Sequence, residues 1–203
     1  MRRVGISTRQ FKQLQQRLAR PRPEAVTEAP ALRPPRLETI VLGVDPSLRG
    51  AGYGVVRLTR AHPAVLAQGT ILCPAAWPRT RCLARIATTL REVIAQCRPT
   101  VAAVEGLFYA QNAKTALIMG EARGAALAVI AEAGLEIFEI APRRAKLALV
   151  GHGGAQKLAV AKMVQRMLNL EDVPAHDAAD ALALALAWAQ GQNGFATAQP
   201  RKI

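Results

Sequence analysis

Residues 40–56 read Ile-Val-Leu-Gly-Val-Asp-Pro-Ser-Leu-Arg-Gly-Ala-Gly-Tyr-Gly-Val-Val. Four of the first five are apolar and three are β-branched, which is the pattern of a buried central strand. Asp45 follows at once, and Pro46 offers no N–H to a ladder, so the strand ends there. A carboxylate is thereby fixed at the carboxyl end of a central strand, a common place for ligand sites in α/β sheets. Taken alone, Asp45 reads equally well as the start of an Asx-turn. Gly50, Gly52 and Gly54 are expected to form a tight reversal into a second apolar run, Gly54 to Leu58.

Outward from this stretch the chain alternates recognisably. Val65 to Leu72 makes a third strand, closing a meander. Arg79 to Arg98 is a helix with Leu83, Ile86, Leu90, Val93 and Ile94 as its apolar stripe. Thr100 to Val104 is a fourth strand and, like the first, it ends on a carboxylate, Glu105. A long helix over Asn112 to Ala133, a fifth strand over Leu135 to Ile140 and a helix opened by Pro142 follow. Beyond the Gly-rich turn Gly151 to Gly154 lie helices over Ala155 to Leu168 and Asp177 to Gln190. This order specifies an α/β fold, a mixed five-stranded sheet with helices on both faces. A right-handed crossover lays the fourth strand beside the first and parallel to it, which brings Asp45 and Glu105 together across sixty residues of sequence.

The 203 residues carry a net charge of +13, which points to a polyanionic partner. Residues 1–36 hold nine Lys/Arg against Glu24 and Glu28, and the other residues hold eighteen against twelve. The first segment therefore reads as a basic arm with a Pro-rich linker. Within it, Ser7 and Gln10 fit a capping box ahead of Phe11, Leu14 and Leu18. Residues 1–23 hold seven basic groups and no acid, so an organellar transit peptide is the alternative to a nucleic-acid-binding arm. A catalytic domain over 37–192 and a tail over 193–203 complete the expected organisation. Cys73, Cys82 and Cys97 show no C-x-x-C spacing and read as reduced structural thiols. The longest apolar run, Ala181 to Ala189, falls short of the ~18 residues of a membrane span.

Asp177 and Asp180 stand three apart on a helix made almost wholly of Ala and Leu, so both lie on one face. Helix-dipole complementarity explains Asp177 in the first turn. Asp180 needs more, because a helix this apolar is buried and a buried carboxylate requires a partner. A divalent cation held by Asp45, Glu105, Asp177 and Asp180 supplies one. Oxygen donors without a His/Cys cluster favour Mg²⁺, with Mn²⁺ as a substitute. Two such ions about 4 Å apart activate water and stabilise the leaving oxygen in phosphodiester cleavage. Phe108 and Tyr109, just after Glu105, suit stacking on an unpaired base or packing in the core. Arg143, Arg144, Lys146 and Lys157 make a basic edge for phosphate or an ordinary solvated one. His176 reads as a surface residue or one that orients a ligand. From Ala116 to Ala131 only Glu121 and Arg123 are charged, more apolar surface than one sheet face needs. A two-fold dimer covers the surplus, with Leu127 among the positions expected to point outward.

The motifs Leu-Gly-Val-Asp-Pro-Ser with Gly-Tyr-Gly (Leu42 to Gly54) and Val-Glu-Gly-Leu-Phe (Val104 to Phe108) open a longer pattern. It continues through Asn112 to Gly124 and Ala141 to Lys146 and closes on His-Asp-Ala-Ala-Asp-Ala-Leu-Ala (His176 to Ala183). Residues 40–190 thus resemble the RuvC family, bacterial Holliday-junction resolvases with an RNase H-like fold. The resemblance implies a Mg²⁺-dependent crossover junction endodeoxyribonuclease of recombination and repair that works as a homodimer making paired nicks in a four-way DNA junction. It also implies a cytoplasmic, nucleoid-associated protein working beside the branch-migration proteins RuvA and RuvB. The family's metal-binding carboxylates fall on Asp45, Glu105, Asp177 and Asp180. Its junction-facing aromatic falls on Phe108 and its phosphate-contacting lysines on Lys146 and Lys157; Tyr109 and Lys114 are further candidate DNA contacts. Ser47 replaces the usual Gly, and Gly106 stands where many members carry Gln. Two other classes compete. An actin-like or sugar-kinase ATPase lobe opens similarly, but this chain has no repeat of the opening motif. A catalytically inactive junction-binding module has no use for four acids near phosphates.

Overall fold

The computed structural model describes residues 39–59, 62–106, 112–192 and 200–203, all within the unit Leu37–Ile203. The basic arm, its capping box, Phe108 and Tyr109 lie outside the described residues. Strand β1 (Thr39–Asp45) pairs antiparallel with β2 (Gly50–Leu58), from Thr39 opposite Leu58 to Asp45 opposite Gly52. β3 (Ala64–Leu72) continues the meander on β2. Helix α1 (Arg79–Cys97) then carries the chain over the sheet to β4 (Val101–Glu105), which lies parallel to β1 as the crossover predicts. Helix α2 (Ala113–Glu132) leads to β5 (Glu136–Ile140), parallel to β4. Three helices finish the layer on the other face: α3 (Pro142–Val150), α4 (Lys157–Leu168) and α5 (His176–Gln192).

The sheet has six strands rather than the five expected. Arg201–Lys202, read from the sequence as part of a tail, form β6 on the open edge of β5, giving the order β3-β2-β1-β4-β5-β6. An uncovered strand edge leaves N–H and C=O groups unpaired, and Ile203 N donates to Ile137 O at 3.0 Å while Lys202 pairs with Glu136. Two charged residues carry no apolar period, so periodicity could not reveal this strand.

Side chains of β1 and β4 alternate between two cores, which is why both strands read as unbroken apolar runs. Leu42, Val44, Ala102 and Val104 face α1 and α2, meeting Ile86, Leu90, Ala126 and Ile130. Val41, Val101 and Ala103 face α3, α4 and α5, meeting Leu149, Val160, Leu182 and Leu186. Eleven of the seventeen residues of α5 are buried, as expected for a helix apolar on every side. Among the described residues no helix is long and apolar enough to cross a membrane.

Two local readings are corrected. Gly50, Gly52 and Gly54 do not form the reversal: the turn is Pro46–Arg49, closed by Gly50 N donating to Ser47 Oγ at 3.1 Å, and the glycines lie inside β2. Their role is close approach. A Cβ on Gly52 would stand 1.9 Å from the Asp177 carbonyl oxygen, and one on Gly43 of β1 1.9 Å from that of Ala181. Without side chains there, α5 settles its backbone onto the sheet and delivers its acids to the ends of β1 and β4. Leu127 is the second correction: it packs against the α1 and α2 core rather than pointing outward. The outward face of α2 is instead Ala113, Leu117, Gly120, Gly124, Ala128 and Ala131, all exposed.

Candidate active site

Val44 pairs with Val104 in the parallel register, so Asp45 and Glu105, one residue further, leave adjacent strand ends on the face covered by α5. Both are half-buried, and their carboxyl groups are close enough to perturb each other. Burial, and then the neighbouring Asp45, push Glu105 from its ordinary range up to about 8. Asp45 is also raised, chiefly by burial, with its neighbour Glu105 opposing the shift. Arg49 holds the turn after Asp45 to the following loop, donating to Pro74 O and, at 3.2 Å, to Trp77 O.

Asp180 comes from the second turn of α5, and its Oδ2 lies 3.2 Å from the Nζ of Lys157, the first residue of α4. Asp180 raises the pKa of that ammonium. Asp45, Glu105 and Asp180 line one cavity of about 170 Å³ together with Lys146 of α3 and Lys157. Pro142, Ala145, Val160, Ala183 and Leu184 make its apolar floor. Asp177 does not line this cavity. It lies one turn earlier on α5 against β2, its Oδ2 3.1 Å from where a Gly50 Cβ would be. Among the described residues no three His, Cys, Asp or Glu side chains converge into a ligand set. Asp45, Glu105 and Asp180 thus share one cavity lining without closing into a ligand cluster, and Asp177 lies against β2.

The basic residues divide as well. Lys157, expected to contact phosphate, is engaged by Asp180, while Lys146 faces the cavity. Arg143 is exposed on the first turn of α3 and Arg144 is half-buried beside it. Lys114 is exposed on the first turn of α2, and His176 is exposed at the start of α5. The sequence reading did not single out Arg123 or Glu139. From α2, Arg123 donates Nε to Glu105 O at 3.3 Å and Nη2 to Glu139. The available signal was a lone arginine within an otherwise apolar stretch of helix.

Chemically, this is a hard-oxygen site with more carboxyl groups than cations. Asp45, Glu105 and Asp180 line the same cavity, and oxygen donors of this kind suit a divalent cation.

Comparison with known proteins identifies the family. The family model "Crossover junction endodeoxyribonuclease RuvC" matches residues 41–188. The RuvC of Haemophilus influenzae is 44% identical over 148 residues, 73% of this chain and 77% of that protein. The solved structure of T. thermophilus RuvC in complex with Holliday junction substrate superposes with a TM-score of 0.73 at 34% identity, covering 80% of this chain and 99% of the other. The yeast mitochondrial Holliday junction resolvase shares the fold, with a TM-score of 0.56 at 12% identity over 77% of this chain and 80% of its own. The architecture is the RNase H-like one of these resolvases, and the chain belongs to the RuvC family of crossover junction endodeoxyribonucleases.

Proposed function

We propose that this protein resolves four-way DNA junctions by hydrolysing one phosphodiester in each of two symmetry-related strands. The observation that carries the reading is the pairing of Asp45 with Glu105 at adjacent strand ends, in a cavity completed by Asp180 and two lysines. Pure DNA binding gives no reason to cluster acids where phosphates must approach. The family is divalent-metal-dependent. Here Asp45, Glu105, Asp177 and Asp180 would hold Mg²⁺, as two ions where both the attacking water and the leaving oxygen are served. Mn²⁺ would substitute. When bound, such a cation supplies Lewis-acid stabilisation of the phosphoryl oxygens and a more acidic water. The protein's own part is to place the acids on rigid strand ends and to neutralise incoming phosphate with Lys146 and Lys157.

Two nicks require two sites, so the working unit is a homodimer. The outward face of α2 supports this: Leu117 is 59% exposed, and a Cβ on Gly120 or Gly124 would meet nothing within 4 Å. Action beside RuvA and RuvB belongs to the same reading. The test is a synthetic four-way junction incubated with and without Mg²⁺. Paired nicks should appear only with the metal, and Asp45→Asn should abolish them while junction affinity holds or rises. Nicking by Asp45→Asn at the wild-type rate would exclude the site.

A further inference from the structure

Buried arginines need partners, and the partners of Arg123 sit on the strand that ends in Glu105 and on the strand next to it. Its side chain is 15% exposed, and it is the single charged residue between Ala122 and Ala131 of the helix. Nε donates to the main-chain oxygen of Glu105 at 3.3 Å, and Nη2 meets the carboxylate of Glu139 on β5. Glu139 in turn lies over Gly106, the residue after Glu105: a Cβ added there would stand 3.0 Å from Glu139 Cγ. Gly106 N donates to Ile140 O at 2.9 Å, the last backbone tie described before the chain leaves the sheet. A residue without a side chain cannot brace this exit by packing. Arg123 and Glu139 brace it instead, from the face opposite the cavity.

We propose that Arg123 is a positioning residue that fixes the backbone from which Glu105 reaches the active site. It would thereby couple helix α2 to the chemistry. The helix is itself held to α1 by two ion pairs, Arg79 with Glu121 at 3.2 Å and Arg91 with Glu132 at 3.1 Å. The opposite face of α2 carries the exposed Leu117, Gly120 and Gly124 stripe. The element that presents the proposed dimer seam to solvent therefore also holds a ligand-bearing strand end. This rests on the nuclease reading, with Glu105 among the groups that hold the metal. A planar guanidinium serves two acceptors at once, which a lysine ammonium on a flexible stem does not reproduce.

The test compares Arg123→Lys and Glu139→Gln with wild type in the full chain. Lysine keeps a positive charge for Glu139 but loses the donor to Glu105 O. Glutamine keeps that donor while removing the ion pair. Single-turnover nicking of a synthetic four-way junction, junction affinity without metal, melting temperature and Mn²⁺ affinity by calorimetry are measured for all three. Arg123→Lys should slow nicking roughly 10- to 100-fold, the cost of a misplaced catalytic group. It should weaken Mn²⁺ binding while junction affinity stays within about twofold, and Glu139→Gln should show the same changes to a smaller degree. Nicking and Mn²⁺ affinity at wild-type values in Arg123→Lys would overturn the proposal. If that variant does not fold, Glu139→Gln decides: slower nicking with weaker Mn²⁺ binding supports the role, and wild-type values for both refute it. A wild type that nicks no junction refutes the nuclease reading instead, and the Mn²⁺ affinities of the variants then decide alone.

Discussion

The burial of Glu105 beside Asp45 makes the site respond to pH before DNA arrives. Glu105 titrates at about 8 in the folded protein against an ordinary 4.5, burial being the main cause and Asp45 the second. A pKa raised by folding stabilises the native state while the proton stays on. That contribution is complete below the unfolded value and is lost as pH rises through the folded one. Metal-free protein should therefore lose stability between about pH 4.5 and pH 8, by at most roughly 1.4 kcal/mol per unit for this group. Glu105→Gln, which cannot ionise, should flatten that slope and melt higher than wild type at the alkaline end. Saturating Mg²⁺ should restore the wild type there, because a ligand that binds only the folded form stabilises it. Thermal melts across this range in EDTA and in Mg²⁺ check the point, and an unchanged slope in Glu105→Gln would refute it. The two strand-end acids were legible in the sequence because an apolar run that stops on a carboxylate leaves its side chain little choice of place. The engagement of Lys157 by Asp180 and of Arg123 by Glu139 was not, since nothing local brings α4 to α5 or α2 to β5.

Helices α2 and α5 look alike in composition and differ in circumstance. Both are apolar on nearly every side, yet α5 is buried within its own chain while α2 leaves six apolar or small residues facing outward. Composition identifies the surplus but not its direction, which is why Leu127 looked suitable for an interface and proves to be core. Leu117 is the informative position. It is 59% exposed, so Leu117→Glu should alter the stability of the isolated fold by no more than about 0.5 kcal/mol. In a two-fold seam the same change sets a charge on each copy into an apolar contact. Sedimentation should show a folded monomer where the wild type is dimeric, and junction nicks should cease to be paired. A variant that stays dimeric, or a wild type that is monomeric at micromolar concentration with and without junction, would remove the seam. The glycines of β2 teach the same lesson. Their presence signalled a special backbone, but only the placement of α5 shows that they are there for close approach rather than for a turn.

Charge belongs to the whole molecule, and here it is unevenly divided. Residues 1–36 hold nine basic groups and two acids, ahead of a nuclease domain that has its own lysines at the cavity. We propose that this arm follows the DNA backbone outside the junction centre. Each Lys or Arg that engages a phosphate releases a counterion, steepening the fall of log affinity with log salt by ~0.9 per phosphate. Deleting residues 1–36 should therefore flatten that slope by several units and weaken binding most at low salt. The positions of the nicks should not change, because Asp45, Glu105, Asp177 and Asp180 all follow the arm in sequence. An import signal gives a different expectation, since a transit peptide is removed and the native protein would weigh less than its full chain. The mass of the native protein separates these two readings, and the salt dependence of the truncated chain then tests the first. Equal slopes with and without the arm would show that its charges make no contact with DNA.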